Sequence, residues 1–145
     1  MMKQIHSKLE AVASRGVSIA QSLLRVAPEQ AAKVSTKQIP QIAGIYIWRF
    51  HADSLPAYVG VGLGKNGLFQ RIASQHLYSN YIKSVLRKAI VAEFGVDSKN
   101  GSVDYIKKHL SLAYLPCPED EPSVVGIAES ILIYTLQPKY NKDKK

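Results

Sequence analysis

The feature that most constrains the fold is a change of hydrophobic period near Pro40. Residues before it keep helical spacing, whereas residues 44–50, GIYIWRF, are rich in the β-branched and aromatic side chains that favour a strand. Asp, Ser and Pro between His51 and Pro56 indicate a turn, and residues 57–61 indicate a second strand. The pattern predicts a β-hairpin.

Helices are predicted on both sides of this hairpin. Residues 3–33 have helical spacing that Gly16 divides into two pieces. The later elements are a glycine-rich loop over 62–67, a helix from Leu68 to about Tyr78, an amphipathic helix ended by Gly95, a short helix over 103–110, a third strand at 112–115 and a helix from Pro122 to Leu136. The order predicts an α/β or α+β arrangement of layers.

The charge favours a polyanionic partner. The chain of 145 residues carries 19 Lys and Arg against 11 Asp and Glu, a net charge of +8. This balance favours nucleic acid slightly over a basic protein that binds none, and an anionic membrane surface is a weaker alternative. Cys117 is the only cysteine, which excludes an intrachain disulfide and fits a reducing compartment. No apolar run has the length of a signal peptide or membrane span, so a soluble cytoplasmic protein is expected.

Glu129 is the most informative single residue. On the last helix Val125, Ala128, Leu132 and Leu136 form an apolar stripe, and Glu129 falls beside that stripe rather than on the polar face. A carboxylate held against a core is costly unless it is paired, protonated or bound to a metal. The alternative, that Glu129 extends along the edge of the stripe to water, is equally compatible with helix geometry.

The loop Gly62-Leu63-Gly64-Lys65-Asn66-Gly67 matches the dinucleotide-binding pattern G-x-G-x-x-G and lies between a strand and a helix. The remaining context does not fit, because a parallel strand ending in an acid should follow and the next segment is another helix. We interpret the loop as a flexible glycine turn.

Two triplets and three later features resemble the GIY-YIG nuclease superfamily. Gly44-Ile45-Tyr46 is separated by eleven residues from Tyr58-Val59-Gly60. The later features follow in the family's order: Arg71 on the next helix, Glu129 on a later apolar helix, and the closing element Pro138-Lys139-Tyr140-Asn141.

The resemblance covers residues 39–141 and implies a three-stranded antiparallel sheet with helices packed on both sides. Residues 39–145 would form the catalytic domain, and residues 1–38 would be an N-terminal helical extension.

The resemblance also implies hydrolysis of a DNA phosphodiester with one divalent cation, Mg²⁺ or Mn²⁺. Glu129 would hold the cation, which takes oxygen ligands and keeps several waters. Arg71 would bind a phosphate oxygen through its fork of donors. Tyr46 would take a proton from the attacking water, and Tyr58 would orient that water or share the role of Tyr46. Asn141 would brace the site by hydrogen bonds.

Two features depart from the family pattern. The stretch between Gly60 and Arg71 is a few residues longer than is common. Many members also carry a His four residues after the Arg, whereas that position is Gln75 here. His76 follows one residue later and falls between Phe69 and Ile72 on the helical wheel, which is typical of a packing histidine, so its role stays doubtful.

Basic side chains supply the predicted DNA contacts, although a solvated surface explains them as well. They are Lys65, Lys83, Arg87, Lys88 and Lys139. Two other interpretations remain: a basic nucleic-acid-binding module without activity, and a nucleotide-cofactor enzyme that would bind free dinucleotide. The N-terminal helices are candidates for a homodimer interface, and low or short-site cleavage specificity is expected.

Overall fold

The protein folds as a four-stranded antiparallel sheet between two layers of helices. The computed structural model describes residues 1–77 and 83–141. The strands are β1 (Glu29–Gln30), β2 (Gly44–Phe50), β3 (Pro56–Gly62) and β4 (Leu110–Pro116), in the spatial order β1-β4-β2-β3. The helices are α1 (Met2–Arg25), α2 (Gly67–Phe69), α3 (Val85–Phe94), α4 (Asn100–His109) and α5 (Pro122–Leu136), and α2 continues directly as a π-helix (Gln70–Leu77).

The predicted α/β class and the three predicted strands are confirmed, and the sheet has one strand more than expected. The added strand, β1, pairs Glu29 with Leu112 and Gln30 with Ser111. Two residues are too few to show an alternating pattern, so this strand is not visible in the sequence. Tyr78, the expected end of the second predicted helix, lies outside the described residues.

The predicted interruption at Gly16 is wrong, because α1 runs unbroken from Met2 to Arg25. A Cβ atom at Gly16 would lie 2.7 Å from Cγ2 of Ile127, so the missing side chain lets α1 approach α5 closely. The expected helix also ends earlier, and residues 31–33 and 36–38 form short 3₁₀ turns instead. A glycine that looks like a helix break is here a helix-packing residue.

The side chains of the sheet alternate between two cores. Ile45, Ile47, Val59 and Ala113 point to one core, which we call the apolar face, and α1 and α5 cover it. The opposite core, which we call the aromatic face, contains Tyr46, Trp48 and Tyr58 and packs against the π-helix, α3 and α4. This alternation follows from the two-residue period of a strand.

The two halves of α1 differ in their environment. Ile19, Ala20 and Leu23 are buried in the apolar face, so α1 belongs to the same core as the sheet. Residues 2–11 are exposed, including Ile5 and Leu9. The domain boundary at residue 38 and the homodimer through these helices stay predictions. No helix in the described part of the chain combines the length and hydropathy required to cross a bilayer.

Candidate functional site

The two motif tyrosines lie on one face of the β2–β3 hairpin. The strand register pairs Tyr46 with Gly60 and Trp48 with Tyr58, so the two tyrosines are diagonal neighbours. Their ring centroids are 6.3 Å apart and both side chains are fully buried. A Cβ atom on Gly60 would lie 2.4 Å from the Tyr46 hydroxyl. A glycine opposite Tyr46 is therefore what lets its phenol lie across β3.

Arg71 joins the two tyrosines from the π-helix. Its charge interacts with the hydroxyls of both Tyr46 and Tyr58. Burial acts to lower the pKa of Arg71, but these two hydroxyls oppose burial and the net pKa is raised. Its Nε is buried and has no hydrogen-bond partner among the described residues. A half-buried cation with an unused, buried N–H donor is suited to an anionic ligand, because leaving a buried donor without a hydrogen bond is costly.

Glu129 acts on Tyr46 from α5. Its side chain is half-buried, and its carboxylate interacts electrostatically with Tyr46. Val125, Ala128 and Leu132 of the same helix are buried in the apolar face, which fixes α5 against the sheet. The carboxylate is therefore close enough to the tyrosine cluster to influence its ionisation.

Tyr46 is held as a neutral phenol. Burial is the main cause that raises its pKa, Tyr58 and Glu129 raise it further, and Arg71 lowers it. Since the unperturbed value is about 10, this side chain keeps its proton at neutral pH in the free protein. Any reaction that uses Tyr46 as a base requires a place for that proton.

His76 provides such a place. It is fully buried, and its Nε2 lies 2.7 Å from the Tyr46 hydroxyl. Its ring makes edge contacts with Tyr46, Trp48 and Tyr58 at centroid distances of 5.5, 6.1 and 5.7 Å. His76 does pack in the core, as its wheel position predicts, but it is also hydrogen-bonded to a candidate catalytic residue.

The π-helix explains why the role of His76 could not be assigned from the sequence. Hydrogen bonds in a π-helix run from residue i to residue i+5, so His76 comes one turn after Arg71. In an α-helix that relation belongs to residue i+4, which is Gln75 here. A wheel drawn with the α-helical period places the histidine one step out of register.

Ser84 is a residue that the sequence analysis missed. Its Oγ lies 2.7 Å from Nδ1 of His76 and also accepts a hydrogen bond from the Arg87 amide at 3.1 Å. The side chain is fully buried and caps the N-terminus of α3. A serine directly before an apolar helical stripe is the signal that predicts such a cap. The contact with His76 depends on tertiary structure and has no local signal.

Asn141 braces the edge strand β3. Its Oδ1 accepts from the amide of Val59 and its Nδ2 donates to the carbonyl of Val59, both at 2.8 Å. The side chain is fully buried. Val59 lies between Tyr58 and Gly60, so Asn141 fixes the backbone at the second motif. The predicted bracing has this geometric basis, and its catalytic importance stays a prediction.

The basic residues predicted to contact DNA differ in exposure. Lys65, Lys83 and Lys88 are exposed. Lys139 is also exposed but forms an ion pair with Glu93.

Arg87 corrects the prediction of a solvated, DNA-facing side chain. It is fully buried, and its guanidinium donates to Ser102 Oγ at 2.9 Å and to the carbonyls of Ser98 and Lys99 at 3.0 and 2.9 Å. These contacts join α3 to the start of α4. The position is off the apolar stripe of α3 because it faces another helix rather than water.

The amides at the end of the glycine-rich loop are used inside the fold. The amides of Gly67, Leu68 and Phe69 donate to the carbonyls of Gly64, Ile42 and Pro40. A Cβ atom on Gly67 would lie 2.1 Å from the Ile42 carbonyl oxygen, so this glycine serves a close backbone contact. The sheet is also antiparallel, whereas a dinucleotide fold needs parallel strands. The interpretation of the loop as a structural turn is supported.

The residues around Tyr46 fit a magnesium-type cation in part. Residues 1–77 and 83–141 contain no group of three or more His, Cys, Asp or Glu side chains that could hold a metal ion. Mg²⁺ commonly uses one or two carboxylates and completes its shell with water and substrate phosphate. Glu129 supplies the carboxylate that such an arrangement requires, so the donor chemistry is compatible with a cation that binds together with a phosphodiester.

Compared with known proteins, the sequence matches no family model and no curated protein. The relation to the GIY-YIG nucleases therefore stays a resemblance carried by short motifs and by the geometry of their side chains.

Proposed function

We propose that this protein is a metal-dependent DNA endonuclease of the GIY-YIG type. One observation carries the proposal: Tyr46 and Tyr58 lie side by side with ring centroids 6.3 Å apart, and the charges of Arg71 and Glu129 both act on Tyr46. These residues are distant in sequence and correspond to the motifs that resemble this nuclease family. A purely structural core would not favour a half-buried cation and a half-buried carboxylate beside two buried tyrosines, because the desolvation of charged groups is costly.

The phosphate would bind at Arg71. Its unused Nε donor and its guanidinium charge suit a non-bridging oxygen of a phosphodiester. Arg71 interacts with both tyrosine hydroxyls, so a phosphate bound at Arg71 would lie close to them. This geometry supports an in-line attack by a water molecule that Tyr46 contacts and Tyr58 orients.

The proton of the water would pass through Tyr46 to His76. Because Tyr46 is a neutral phenol, it accepts the proton of the attacking water only as it releases its own proton to Nε2 of His76, 2.7 Å away. Nε2 is an acceptor when Nδ1 carries the hydrogen and donates to Ser84 Oγ. The new bond joins the water oxygen to phosphorus, the bond to the 3′ oxygen breaks, and that oxygen takes a proton from solvent.

Glu129 would hold Mg²⁺ or Mn²⁺ beside the phosphate. When bound, the cation stabilises negative charge on the phosphate and on the departing oxygen. Asn141 keeps Tyr58 and Gly60 in position through the backbone of Val59.

Supercoiled-plasmid cleavage tests the proposal. Wild-type protein with Mg²⁺ is compared with an EDTA control, with Glu129→Gln and with Glu119→Gln, a matched change in an exposed loop. We expect nicked or linear product from the wild type and from Glu119→Gln, and none from Glu129→Gln or with EDTA. Binding of plasmid without cleavage under all metal conditions would instead indicate a nucleic-acid-binding module. Equal cleavage by Glu129→Gln would refute the assigned site.

A further inference from the structure

A cleft of about 380 Å³ adjoins Arg71 and has no part in the reaction described above. Its wall is formed by the end of β3, the glycine-rich loop and the first turns of the helix that follows. The side chains that matter here are Leu63, Lys65, Gln70 and Arg71. The volume falls at the lower end of the range for pockets that bind small organic groups. It is therefore large enough for one nucleotide unit.

The chemistry of the cleft is mixed. Val61 and Leu63 are half-buried and give it an apolar side, whereas Lys65 and Asn66 are exposed polar residues. The amides of residues 67–69 are used internally, so they are not available to a ligand in the cleft. An apolar surface beside two cations matches a base or sugar with a phosphate on either side.

Gly64 gives the cleft its open entrance. A Cβ atom at this position would meet no atom within 4 Å, and Gly64 does not have a positive φ. Neither packing nor backbone conformation therefore requires a glycine there, in contrast to Gly62 and Gly67, where a Cβ would contact backbone at 2.4 and 2.1 Å. A large side chain at Gly64 can be added without disturbing the fold.

We propose that this cleft binds the nucleotide adjoining the scissile phosphate of the DNA strand, with Arg71 on the scissile phosphate and Lys65 on the neighbouring one. This inference rests on the proposed function, since Arg71 marks the scissile position. The extra residues between Gly60 and Arg71 then form one wall of a substrate subsite and are more than a connecting turn. Contact with a single nucleotide fits cleavage at short sites.

The test uses the full-length protein and a fluorescein-labelled duplex of about 20 base pairs, chosen to contain a cleavage position mapped on the wild type. Gly64→Trp fills the cleft and Lys65→Gln removes the second cation. Asp104→Trp, an exposed position on α4, is the matched control for bulk. Binding is measured by fluorescence anisotropy in a Glu129→Gln background, and kcat and KM are measured with Glu129 intact.

We expect Gly64→Trp to raise Kd and KM about tenfold or more, with a smaller change in kcat, and Lys65→Gln to raise both less. Asp104→Trp should leave both unchanged. A duplex that lacks the base next to the cut should bind the wild type more weakly than the complete duplex does. It should bind Gly64→Trp no more weakly than the complete duplex does, because the cleft is already filled.

Unchanged Kd and KM in Gly64→Trp, with intact cleavage, would refute the assignment of the cleft as a nucleotide subsite and leave the proposed function standing. If the wild type cuts no DNA, the proposed function is contradicted; anisotropy with any duplex of the same length that it binds would then still show whether Gly64→Trp weakens binding at the cleft.

Discussion

The two faces of the sheet come from the same strands and have opposite chemistry. On β2, Ile45 and Ile47 enter the apolar face, and the alternate residues Tyr46 and Trp48 enter the aromatic face. Both sets are almost completely buried. The apolar face needs only close packing, whereas the aromatic face contains hydroxyl, imidazole and guanidinium groups that must be hydrogen-bonded.

This difference separates the face that contributes packing from the face that contains the proposed catalytic residues. The apolar face joins α1, α5 and the sheet through aliphatic contacts and a buried thiol. The aromatic face contains the hydrogen-bonded series Tyr46, His76 and Ser84, which continues to the amide of Arg87. Adjacent residues on one strand should therefore respond to substitution in different ways.

The largest expected effect is on activity, from Tyr46→Phe. Loss of the hydroxyl removes the contact with the attacking water, so kcat for duplex cleavage should fall by about 10²–10⁴. The substitution also leaves the buried His76 Nε2 without this partner, at a cost of about 1–3 kcal/mol in unfolding free energy. Single-turnover cleavage and urea unfolding measure the two effects. A variant with near-wild-type kcat would exclude Tyr46 from the reaction.

The neighbouring change Ile47→Ala should have the opposite pattern of effects: a large loss of stability and little change in the cleavage rate. Ile47 is 1% exposed and pairs with Val59 on one side and Ala113 on the other. Its truncation should lower the unfolding free energy by about 2–5 kcal/mol. Cleavage per folded molecule, measured well below the midpoint of unfolding, should change by less than about threefold because no polar contact of the aromatic face is lost. A loss of kcat like that of Tyr46→Phe would show that the two faces are coupled.

Ser84→Ala should affect both properties modestly. It removes the cap of α3, which is worth about 1 kcal/mol, and it removes the partner that orients His76. We expect a fall in kcat of about tenfold and an altered pH dependence of kcat, with KM unchanged.

Ser84→Thr, which keeps the hydroxyl, provides the control for this positioning role. It should restore the pH profile even if stability is not fully recovered. If Ser84→Ala loses stability but keeps the wild-type profile, Ser84 serves only as a helix cap.

The smallest effect concerns the buried thiol at the edge of the apolar face. Burial is the main cause that raises the pKa of Cys117 to about 11, from its ordinary value of 9.0. Between these values the unfolded chain loses the thiol proton while the folded chain keeps it, so stability falls as pH rises from 9 to 11. Cys117→Ala should reduce the fall in Tm over this interval by an amount on the order of 2 °C. An identical fall in both proteins, measured by thermal unfolding under reducing conditions, would show that the thiol does not contribute.

Local patterns predicted the elements that their own residues determine. The β2–β3 hairpin, the cap at Gly95 with φ of 65°, and the start of α5 at Pro122 follow from turn residues, glycine and proline. The sequence missed features that depend on a distant partner. Gly16 looks like a break until Ile127 is placed against it, and Arg87 looks solvated until α4 surrounds it.

The sequence by itself determined the class of the fold, the position of the hairpin and four residues that meet as one group: Tyr46, Tyr58, Arg71 and Glu129. Tertiary structure alone decided that His76 contacts Tyr46, that Ser84 contacts His76, and that the glycine-rich loop opens a cleft beside Arg71. The physical reason is the range of the interactions. Strand alternation, caps and turns act within a few residues, whereas the π-helical register and the contacts between α3 and the sheet exist only after the layers have packed.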